Sequence, residues 1–246
     1  MQNNLSVNGR RISNVQIIST AKYFSKEGSW YSNEDIHKFL YGKNWKQEMK
    51  DRGLDPEYYL KEYGFRKRYM VRVLGEALTG IEITSADLME GAAKELLKKS
   101  DIRKKDITLL IAVSTTSHSY TTSLGAIVAG RLGLKCASFE MKAGCSSAIY
   151  ALFIASQFVN ATKGNVLIVS AETLSKVASE KFYYITGDGG AAALLSYTKN
   201  KSKGIHAYYL DSDGSYSDKM GVPGNLPPVA DSSSKQKYLF QTHGNI

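Results

Sequence analysis

The sequence predicts an α/β layered fold, because segments of strand and helix character alternate along its 246 residues. Capping boxes from Ser32 to Asp35 and from Thr84 to Asp87 predict two helix starts. Short, continuous apolar runs such as ITLLIAV are typical of central strands that are covered on both faces. The run SSAIYALFIASQFVNA is apolar all round, which predicts a helix buried in the middle of the fold.

The N-terminal part begins with a predicted strand, NVQIIST, whose β-branched residues favour a sheet. The first capping box opens a helix in SNEDIHKFL. A further helix is predicted in EYYLKEYG, with Asp55 as its N-cap, Pro56 as its first residue and Gly64 at its end.

Helices and strands follow each other closely after Thr84. The helix that begins there runs through Leu97, with its apolar residues at helical spacing. A helix from Ser123 to Leu132 follows ITLLIAV and precedes the short strand CASFEM. The strands predicted after the apolar helix are NVLIVSAE, AAALLSY and GIHAYYLD.

The composition is that of an ordinary globular protein, with 43% hydrophobic residues and a formal charge of +9. The basic residues form dispersed groups at 66–68, 98–99, 103–105 and 199–203, which favours solvated surfaces. The alternative is a docking surface for an anionic partner, such as coenzyme A phosphates or an acidic carrier protein. No recognition helix or RNA-binding motif accompanies these groups, so we expect no nucleic-acid partner.

The N-terminal stretch MQNNLSVNGR does not resemble a signal peptide, and the apolar runs are too short or too interrupted to span a bilayer. We therefore expect a cytoplasmic protein without a membrane partner. The two cysteines, Cys136 and Cys145, are then expected to be reduced. Four scattered histidines offer no metal-ligand spacing, so we expect no metal.

Cys145, at the start of the apolar helix, has two interpretations. A lone cysteine beside an apolar helix is usually a small core residue. A strand-turn-helix junction, however, is an arrangement that displays a nucleophile at the end of a sheet. The helix start favours the thiolate form, and the small residues Ala143 and Gly144 let the backbone turn and a substrate approach. A thiolate there could accept an acyl group from a thioester.

Four stretches occur in the order of the motifs of one known family. They are YYLKEYGFRKRYM, VSTTSHSYTTSLGAIVAGRLGL, EMKAGCSSAIYAL and TGDGGAAALLSY. Together they resemble the β-ketoacyl-acyl-carrier-protein synthase III group of thiolase-fold condensing enzymes. In that group the third stretch carries the nucleophilic cysteine, and the second carries dimer and acyl-pocket contacts. The stretch GIHAYYLDSDGSYSDKMGVPGN also resembles the first strand and loop of the second half of the fold.

The resemblance implies a role for each of several residues. Cys145 is the acyl-accepting nucleophile. Arg66 contacts the coenzyme A nucleotide, with a merely exposed charge as the alternative. Tyr58 stands where the family often has a tryptophan near the adenine, with a core tyrosine as the alternative. Tyr120 lies close to the family position that reaches into a neighbouring subunit's acyl pocket, although the usual proline is missing.

The resemblance also implies that the motif GDGG is structural, with Gly187, Asp188 and Gly189 forming a turn rather than a catalytic group. Within the thiolase-like fold, residues 1–200 correspond to the half that carries the nucleophile. Residues 201–246 correspond to an incomplete beginning of the C-terminal half, so the second half is expected to be truncated or missing.

The family's catalytic histidine and asparagine come from that second half. His243 and Asn245 in the terminal THGNI follow its first loop too closely, so we expect them only to begin the next helix. We assign His118 to a loop and His206 to a strand. The 246 residues alone are therefore expected to be inactive in condensation.

The expected function is that of an acyltransferase of the ketoacyl synthase III type, in fatty acid or polyketide biosynthesis. Cys145 takes an acyl group from acyl-CoA, and the complete enzyme then condenses it with malonyl-carrier protein. The expected partners are acyl-CoA, as substrate rather than resident cofactor, acyl carrier protein, and a second subunit in a homodimer or heteromer. The alternative is a non-catalytic partner subunit of a condensing complex, which would have no need of a thiol at a helix start.

Overall fold

The computed structural model describes residues 14–77, 83–119, 121–200, 203–205, 207–222 and 241–242. The strands are β1 (Val15–Tyr23), β2 (Ser29–Ser32), β3 (Lys67–Met70), β4 (Ile107–Val113), β5 (Ala137–Met141), β6 (Asn165–Thr173), β7 (Asp188–Tyr197), β8 (Met220–Gly221) and β9 (Gln241–Thr242). The helices are α1 (Asn33–Tyr41), α2 (Trp45–Asp51), α3 (Tyr58–Tyr63), α4 (Ser85–Lys99), α5 (Leu124–Leu132) and α6 (Ser147–Thr162). The predicted mixture of strands and helices is confirmed.

The chain divides into two compact units. The first comprises Met1–Tyr23, Thr84–Glu172 and Gly190–Ser215, and the second comprises Phe24–Ile83, Thr173–Gly189 and Tyr216–Ile246. The predicted division at residue 200 concerns the whole thiolase-like fold and stays a prediction. Within the described residues, no helix combines the length and apolar character needed to cross a membrane.

The first unit is built on a five-stranded sheet in the order β1-β7-β6-β4-β5. Strand β4 runs parallel to both β5 and β6, whereas β1 is antiparallel to β7. Leu109, Ile111 and Val113 on one face of β4 pack into a core with α6. Leu110 and Ala112, which alternate with them, are also fully buried. The prediction that ITLLIAV is covered on both faces is therefore confirmed.

Helices α4 and α5 contact the same sheet, α4 at β1 and α5 at β4 and β5. Thr84 and Asp87 form the predicted capping box of α4, in which the Asp87 carboxylate accepts the Thr84 amide at 2.7 Å. A Cβ atom at Gly190 would lie 2.3 Å from the carbonyl oxygen of Leu88, so glycine is required where β7 meets this helix. Helix α5 begins after Ser123, as predicted.

Helix α6 departs from its prediction, because it is not buried all round. Its inner face, with Ala151, Ala155 and Val159, is fully buried against the sheet. In contrast, Ile149 and Ile154 are 48% and 36% exposed. An all-round apolar helix needs cover on every side, and the described residues cover only part of it.

The predicted strand GIHAYYLD is wrong for residues 204–205 and 207–211, which form no strand. One amide, that of Ile205, reaches β1 and donates to the Val15 carbonyl at 3.1 Å. The segment is instead attached to α6, where the Tyr208 hydroxyl lies 2.8 Å from the Ser156 hydroxyl and donates to the Leu152 carbonyl at 3.0 Å. Tyr208 thus packs by its side chain, whereas Tyr209 is 68% exposed.

The second unit contains the antiparallel pair β2 and β3 and the helices α1 to α3. Its core is formed by Ile36, Met70, Ala178, Tyr183 and Tyr184. The predicted capping box of α1 is present, with the Ser32 hydroxyl accepting the amide of Asp35.

Helix α3 begins two residues later than predicted. Its N-cap is Glu57 rather than Asp55, because the Asp55 carboxylate accepts the Glu57 amide in a turn that precedes the helix. The predicted end is confirmed, since Gly64 has the left-handed conformation of a helix C-cap.

Candidate active site

Cys145 lies in the junction between the end of β5 at Met141 and the start of α6 at Ser147. We call residues 142–146 the cysteine loop. All five of these residues are exposed. The structure therefore places the thiol of Cys145 where a solvent-borne reactant can reach it, and the interpretation of Cys145 as a buried core residue is wrong.

Gly144 gives the cysteine loop its sharp turn. Its φ angle of 58° lies in the left-handed region, which residues with a Cβ atom adopt only with strain. An added Cβ would meet no atom within 4 Å, so the requirement comes from the backbone conformation and not from lack of space. The turn directs the chain from the strand into the helix and leaves Cys145 at the exposed bend.

Ser147 fixes the other side of the loop. Its hydroxyl donates to the Gly144 carbonyl at 2.7 Å and accepts the Ala143 amide at 2.6 Å. The Ser147 amide also donates to the Gly144 carbonyl, at 3.2 Å. Ser147 is only 2% exposed, so the exposed Cys145 is flanked by a buried and hydrogen-bonded anchor.

Cys136 differs from Cys145 in its surroundings. It directly precedes β5 and is half-buried. Burial raises the pKa of the Cys136 thiol, because a thiolate is poorly solvated there. Of the two thiols, Cys145 is therefore the candidate nucleophile.

Arg66 and Arg68 differ although they are two residues apart in the second unit. Arg68 is buried, and its guanidinium donates to the Asn33 side chain at 2.6 Å and to the Tyr184 carbonyl at 2.8 Å. Desolvation lowers the pKa of Arg68, but its hydrogen bonds make it part of the core. Arg66 is exposed, so its side chain faces solvent where a phosphate-bearing ligand could approach.

Tyr58 is the first residue of α3 and is 45% exposed. Its ring meets those of Tyr59 and Tyr63 edge-on, with centroid distances of 5.3 and 5.9 Å. The next tyrosine is partly buried, because Tyr59 packs against the core of this unit and stacks on Tyr184 at 4.4 Å with the rings 7° apart. The alternative of a core tyrosine is therefore wrong for Tyr58.

The GDGG motif does not form the predicted turn, because Asp188 and Gly189 are the first residues of β7. Asp188 is 5% exposed, and its carboxylate accepts the Val71 amide at 2.7 Å and the Ser175 amide at 2.8 Å. Burial raises the pKa of Asp188, and these donors oppose the effect. These bonds tie the start of β7 to two other segments of the second unit, where the prediction had placed a turn.

Two of the motif's glycines permit close packing in the second unit. A Cβ atom at Gly187 would lie 3.3 Å from the Tyr69 carbonyl oxygen, and one at Gly189 would lie 3.1 Å from the Phe24 ring. These contacts are tighter than ordinary van der Waals distances, which favours glycine at both positions.

Several predicted positions lie outside the described residues: Tyr120, His206, His243 and Asn245. His118 is exposed in the loop after β4, where it was expected. Among the described residues, no group of three or more His, Cys, Asp or Glu side chains could hold a metal ion.

Sequence reasoning missed Ser147 and two carboxylates, Glu140 and Glu172, that hold the loop before α5. Serine is common in helix starts, and nothing in its spacing marks the bond to Gly144. The carboxylates act across 16 and 57 residues of sequence, so no local pattern could reveal them.

The layered α/β sheet, with an exposed cysteine between a strand and an apolar helix, is the arrangement of a thiolase-like fold. Solved structures support this fold. The synthase III of Thermus thermophilus superposes with a TM-score of 0.72 over 93% of this chain and 65% of that chain, at 23% identity. The 3-oxoacyl-[acyl-carrier-protein] synthase III of Aquifex aeolicus gives a TM-score of 0.62 over 76% of this chain and 55% of that chain, at 25% identity.

Sequence comparisons show which enzymes with this fold the chain resembles. Residues 139–214, which include Cys145, match the family model described as 3-oxoacyl-[acyl-carrier-protein (ACP)] synthase III. The β-ketoacyl-[acyl-carrier-protein] synthase III of Clostridium tetani is 32% identical over 84% of this chain and 56% of its own length. That of Natranaerobius thermophilus is 28% identical over 95% of this chain and 68% of its own length. Over the matched residues the chain is similar to the synthase III group of condensing enzymes.

The chain matches only part of its relatives. It spans 46% of the synthase III of Vesicomyosocius okutanii, to which it is 34% identical over 58% of its own length. It thus covers about half the length of several curated relatives.

Proposed function

We propose that this chain carries out the acyl-transfer step of a ketoacyl synthase III-type reaction, with Cys145 as acceptor. The observation that supports the proposal most strongly is the exposed thiol of Cys145 at a rigid junction between β5 and α6. A thiolate is the reactive form of cysteine, and the exposure of the cysteine loop lets a reactant reach the Cys145 sulfur. Because the chain resembles synthase III enzymes, we expect the reactant to be a thioester.

In the proposed step, the Cys145 sulfur attacks the carbonyl carbon of acyl-CoA. A new carbon–sulfur bond forms at Cys145, and the bond between the acyl carbon and the coenzyme A sulfur breaks. Coenzyme A leaves as a thiolate and takes a proton from solvent. The acyl group then remains on Cys145 as a thioester, so no resident cofactor is required.

We propose that Arg66 and Tyr58 contact the nucleotide of coenzyme A. Both side chains are exposed, one cationic and one aromatic, and they belong to the same compact unit. A guanidinium binds phosphate by charge-assisted hydrogen bonds, and an exposed ring offers a face to an adenine. Tyr120 remains the proposed acyl-pocket or dimer contact, by resemblance.

The second step, decarboxylative condensation with malonyl-carrier protein, is proposed for the complete enzyme. Its histidine and asparagine belong, by resemblance, to the second half of the fold. We propose that a polypeptide of these 246 residues alone accepts an acyl group but does not condense it. The proposed partners are acyl-CoA, acyl carrier protein and a second subunit.

The deciding experiment is to incubate the purified protein with acetyl-CoA and to measure its intact mass. We expect one acetyl adduct, mapped to Cys145 by peptide mass spectrometry and absent from Cys145→Ser. Cys136→Ser is the matched control and should keep the adduct. A protein that forms no adduct, although folded, would favour the alternative of a non-catalytic partner subunit.

A further inference from the structure

Lysines that are far apart in the sequence meet at one edge of the five-stranded sheet. Strands β4, β5 and β6 run in the same direction, so their first residues lie along the same edge. Lys104 and Lys105 stand just before β4, Lys135 just before β5 and Lys163 just before β6. All four residues are exposed. The sheet topology therefore gathers basic residues that the sequence shows as separate groups.

The end of β7 adds two more lysines to this edge. The Lys163 ammonium stands 4.1 Å from the ring centroid of Tyr197, which is the last residue of β7. Lys199 and Lys203 follow it and are exposed, and the Lys203 amide donates to the Asn200 carbonyl at 3.2 Å. We call the surface formed by the following six lysines the lysine edge: Lys104, Lys105, Lys135, Lys163, Lys199 and Lys203.

Hydrogen bonds tie two loops of the lysine edge to each other. The side chain of Asn165, the first residue of β6, donates to the Asp106 carbonyl at 2.9 Å. The Thr108 hydroxyl on β4 donates to the Asn165 carbonyl at 3.0 Å. The lysines before β4 and β6 therefore stand on a fixed base, on neighbouring strands about 5 Å apart.

The charge of the lysine edge is not neutralised by the residues that the structure describes. None of its six lysines has a carboxylate partner among them, whereas a helix lysine such as Lys94 pairs with Glu90 at 2.6 Å. Two acids lie in the loop before β4. Asp106 pairs with Arg103 at 2.7 Å, and Asp101 is exposed. A strong local excess of positive charge remains.

The chemistry of the lysine edge favours a diffuse layer of negative charge. Its unpaired cations are lysines, each a hydrated point charge on a flexible stem, rather than arginines that bind a single phosphate with two donors. The described residues of 101–107, 133–137, 161–165 and 197–205 include no exposed large apolar side chain. Without exposed aromatic rings, this surface lacks the platform on which single-stranded nucleic acids stack their bases.

The lysine edge lies at the opposite end of the strands from Cys145. Cys145 follows the carboxyl end of β5, whereas the lysines precede the amino ends of β4, β5 and β6. Strand β4 has seven residues, so about 20 Å of sheet separates the two ends. A carrier protein that served Cys145 would approach the carboxyl ends, so it is not the partner that the lysine edge fits. An anionic lipid surface can contact this edge and leave Cys145 free.

We propose that the lysine edge is a docking surface for an anionic lipid bilayer, in which lysine ammonium groups contact lipid phosphates and no apolar side chain is inserted. The six lysines lie at the ends of neighbouring strands in one compact unit, so they can approach one plane together. The attraction of several lysines to an anionic surface adds up. The proposed contact is peripheral and needs no membrane-spanning helix. It goes beyond the proposed acyl transfer and does not depend on it.

The test is co-sedimentation of the purified protein with vesicles of phosphatidylcholine, either alone or with about one third phosphatidylglycerol. We expect binding only to the anionic vesicles at about 50 mM KCl, and its loss at about 500 mM, because salt screens charges that stay outside the bilayer. Lys104→Gln combined with Lys105→Gln should lower the partition coefficient about 25-fold, at about fivefold for each lost lysine. Lys199→Gln combined with Lys203→Gln, in a separate segment, should have a similar effect and tests the proposal if the first variant fails to fold.

Lys43→Gln combined with Lys50→Gln is the matched control, because both lysines are exposed in the other unit and the formal charge falls by the same amount. This variant should keep its partition coefficient within about twofold of the wild type. Alkylation of Cys145 by iodoacetamide reports the orientation of the bound protein. Its rate should be the same with and without anionic vesicles, because the opposite end of the strands faces the lipid.

The possible outcomes separate this proposal from its alternatives. A folded wild type that does not bind anionic vesicles at low salt overturns it, and so does an equal loss of binding in the control variant. Protection of Cys145 from alkylation on the vesicles also overturns it. Tighter binding to an RNA duplex or to an acidic carrier protein than to the vesicles, with the same dependence on the six lysines, would assign the lysine edge to that partner instead. Acylation by acetyl-CoA tests the proposed function separately, and its failure would leave the vesicle result unaffected.

Discussion

The hydroxyl of Ser147 donates to the carbonyl of Gly144 at 2.7 Å, from the first residue of α6 back across the exposed Cys145. The same hydroxyl accepts the Ala143 amide, so one buried side chain ties both residues that precede the cysteine. Gly144 supplies the left-handed turn, and Ser147 holds it. The cysteine loop is thus shaped by a backbone conformation and a hydrogen-bond pair.

Replacing Ser147 by alanine should loosen the cysteine loop without removing the thiol. We expect the rate of acyl transfer to Cys145 to fall about tenfold, because a positioned nucleophile is displaced and two hydrogen bonds are lost. The measurement is the rate of adduct formation with acetyl-CoA by intact mass. Ser146→Ala is the control, since Ser146 makes no side-chain cap bond, and its rate should stay near that of the wild type. Equal rates in all three proteins would contradict the role of Ser147.

The two cysteines should react in a fixed order with iodoacetamide. Burial raises the pKa of Cys136, so its thiolate is scarce at neutral pH and becomes available only as the pH rises. The exposed Cys145 should therefore be alkylated first at pH 7, and labelling of Cys136 should increase more steeply towards pH 9. Peptide mass spectrometry at several pH values measures both. Equal labelling of the folded protein at pH 7 would remove the support for Cys145 as nucleophile.

Arg66→Ala should weaken the use of acyl-CoA without disturbing the fold. Because Arg66 is exposed and Arg68 is the buried member of the pair, loss of Arg66 removes a surface charge and no core contact. We expect the acyl-CoA concentration for half-maximal acylation to rise about tenfold and the maximal rate to change by less than about twofold. Arg52→Ala, at another exposed arginine in the same unit, is the control and should change neither. Identical effects of the two variants would show that only general charge is involved.

The second unit should lose stability as the pH falls through the ordinary range of histidine. His37 is buried, with Nδ1 2.7 Å from the Tyr184 hydroxyl and Nε2 3.0 Å from the Pro56 carbonyl oxygen. Burial lowers the pKa of His37, so the unfolded chain takes up its proton at a higher pH than the folded chain. The stability that His37 contributes is present above the unfolded pKa of about 6.5 and is lost below it.

His37→Gln tests this dependence, because an amide can accept from Tyr184 and donate to Pro56 without titrating. The melting temperature should fall between pH 7.5 and 5.5 in the wild type and fall less in the variant. Parallel curves for the two proteins would mean that other groups set the pH dependence.

Local signals predicted much of the fold. The two capping boxes, the Gly64 helix end and the run ITLLIAV each depend on neighbouring residues, and the structure confirms them. The position of Cys145 between a strand and an apolar helix was also predicted, because both elements and the small residues before the cysteine are visible in the sequence. Asp188 was predicted to lie in a turn but is the first residue of β7, and no local pattern reveals its carboxylate bonds to Val71 and Ser175.

What the sequence did not predict depends on distant partners. GIHAYYLD has the composition of a strand, yet Tyr208 packs on α6 through Ser156 and the chain does not join the sheet. Likewise, Glu172 looks like the polar end of a strand, and only the fold brings Thr115 to it. The apolar residues of α6 predicted burial on every side, whereas among the described residues the face with Ala151, Ala155 and Val159 is buried and Ile149 and Ile154 are exposed.

The exposed side of α6 should be covered by protein in solution. Ile149 and Ile154 are exposed apolar side chains on different sides of a helix whose inner face is fully buried, and leaving such side chains in water costs on the order of 25 cal/mol per Å². We expect the purified 246-residue polypeptide to self-associate, or to bind a second-half polypeptide when one is supplied, rather than to remain monomeric. Light scattering combined with intact mass gives the assembly size. Ile149→Lys should shift the assembly towards the 27.1 kDa monomer. Ile185→Lys is the control, because Ile185 is 49% exposed in the other unit and should leave the assembly unchanged. A wild-type monomer that melts cooperatively and resists association at high concentration would show that α6 needs no partner.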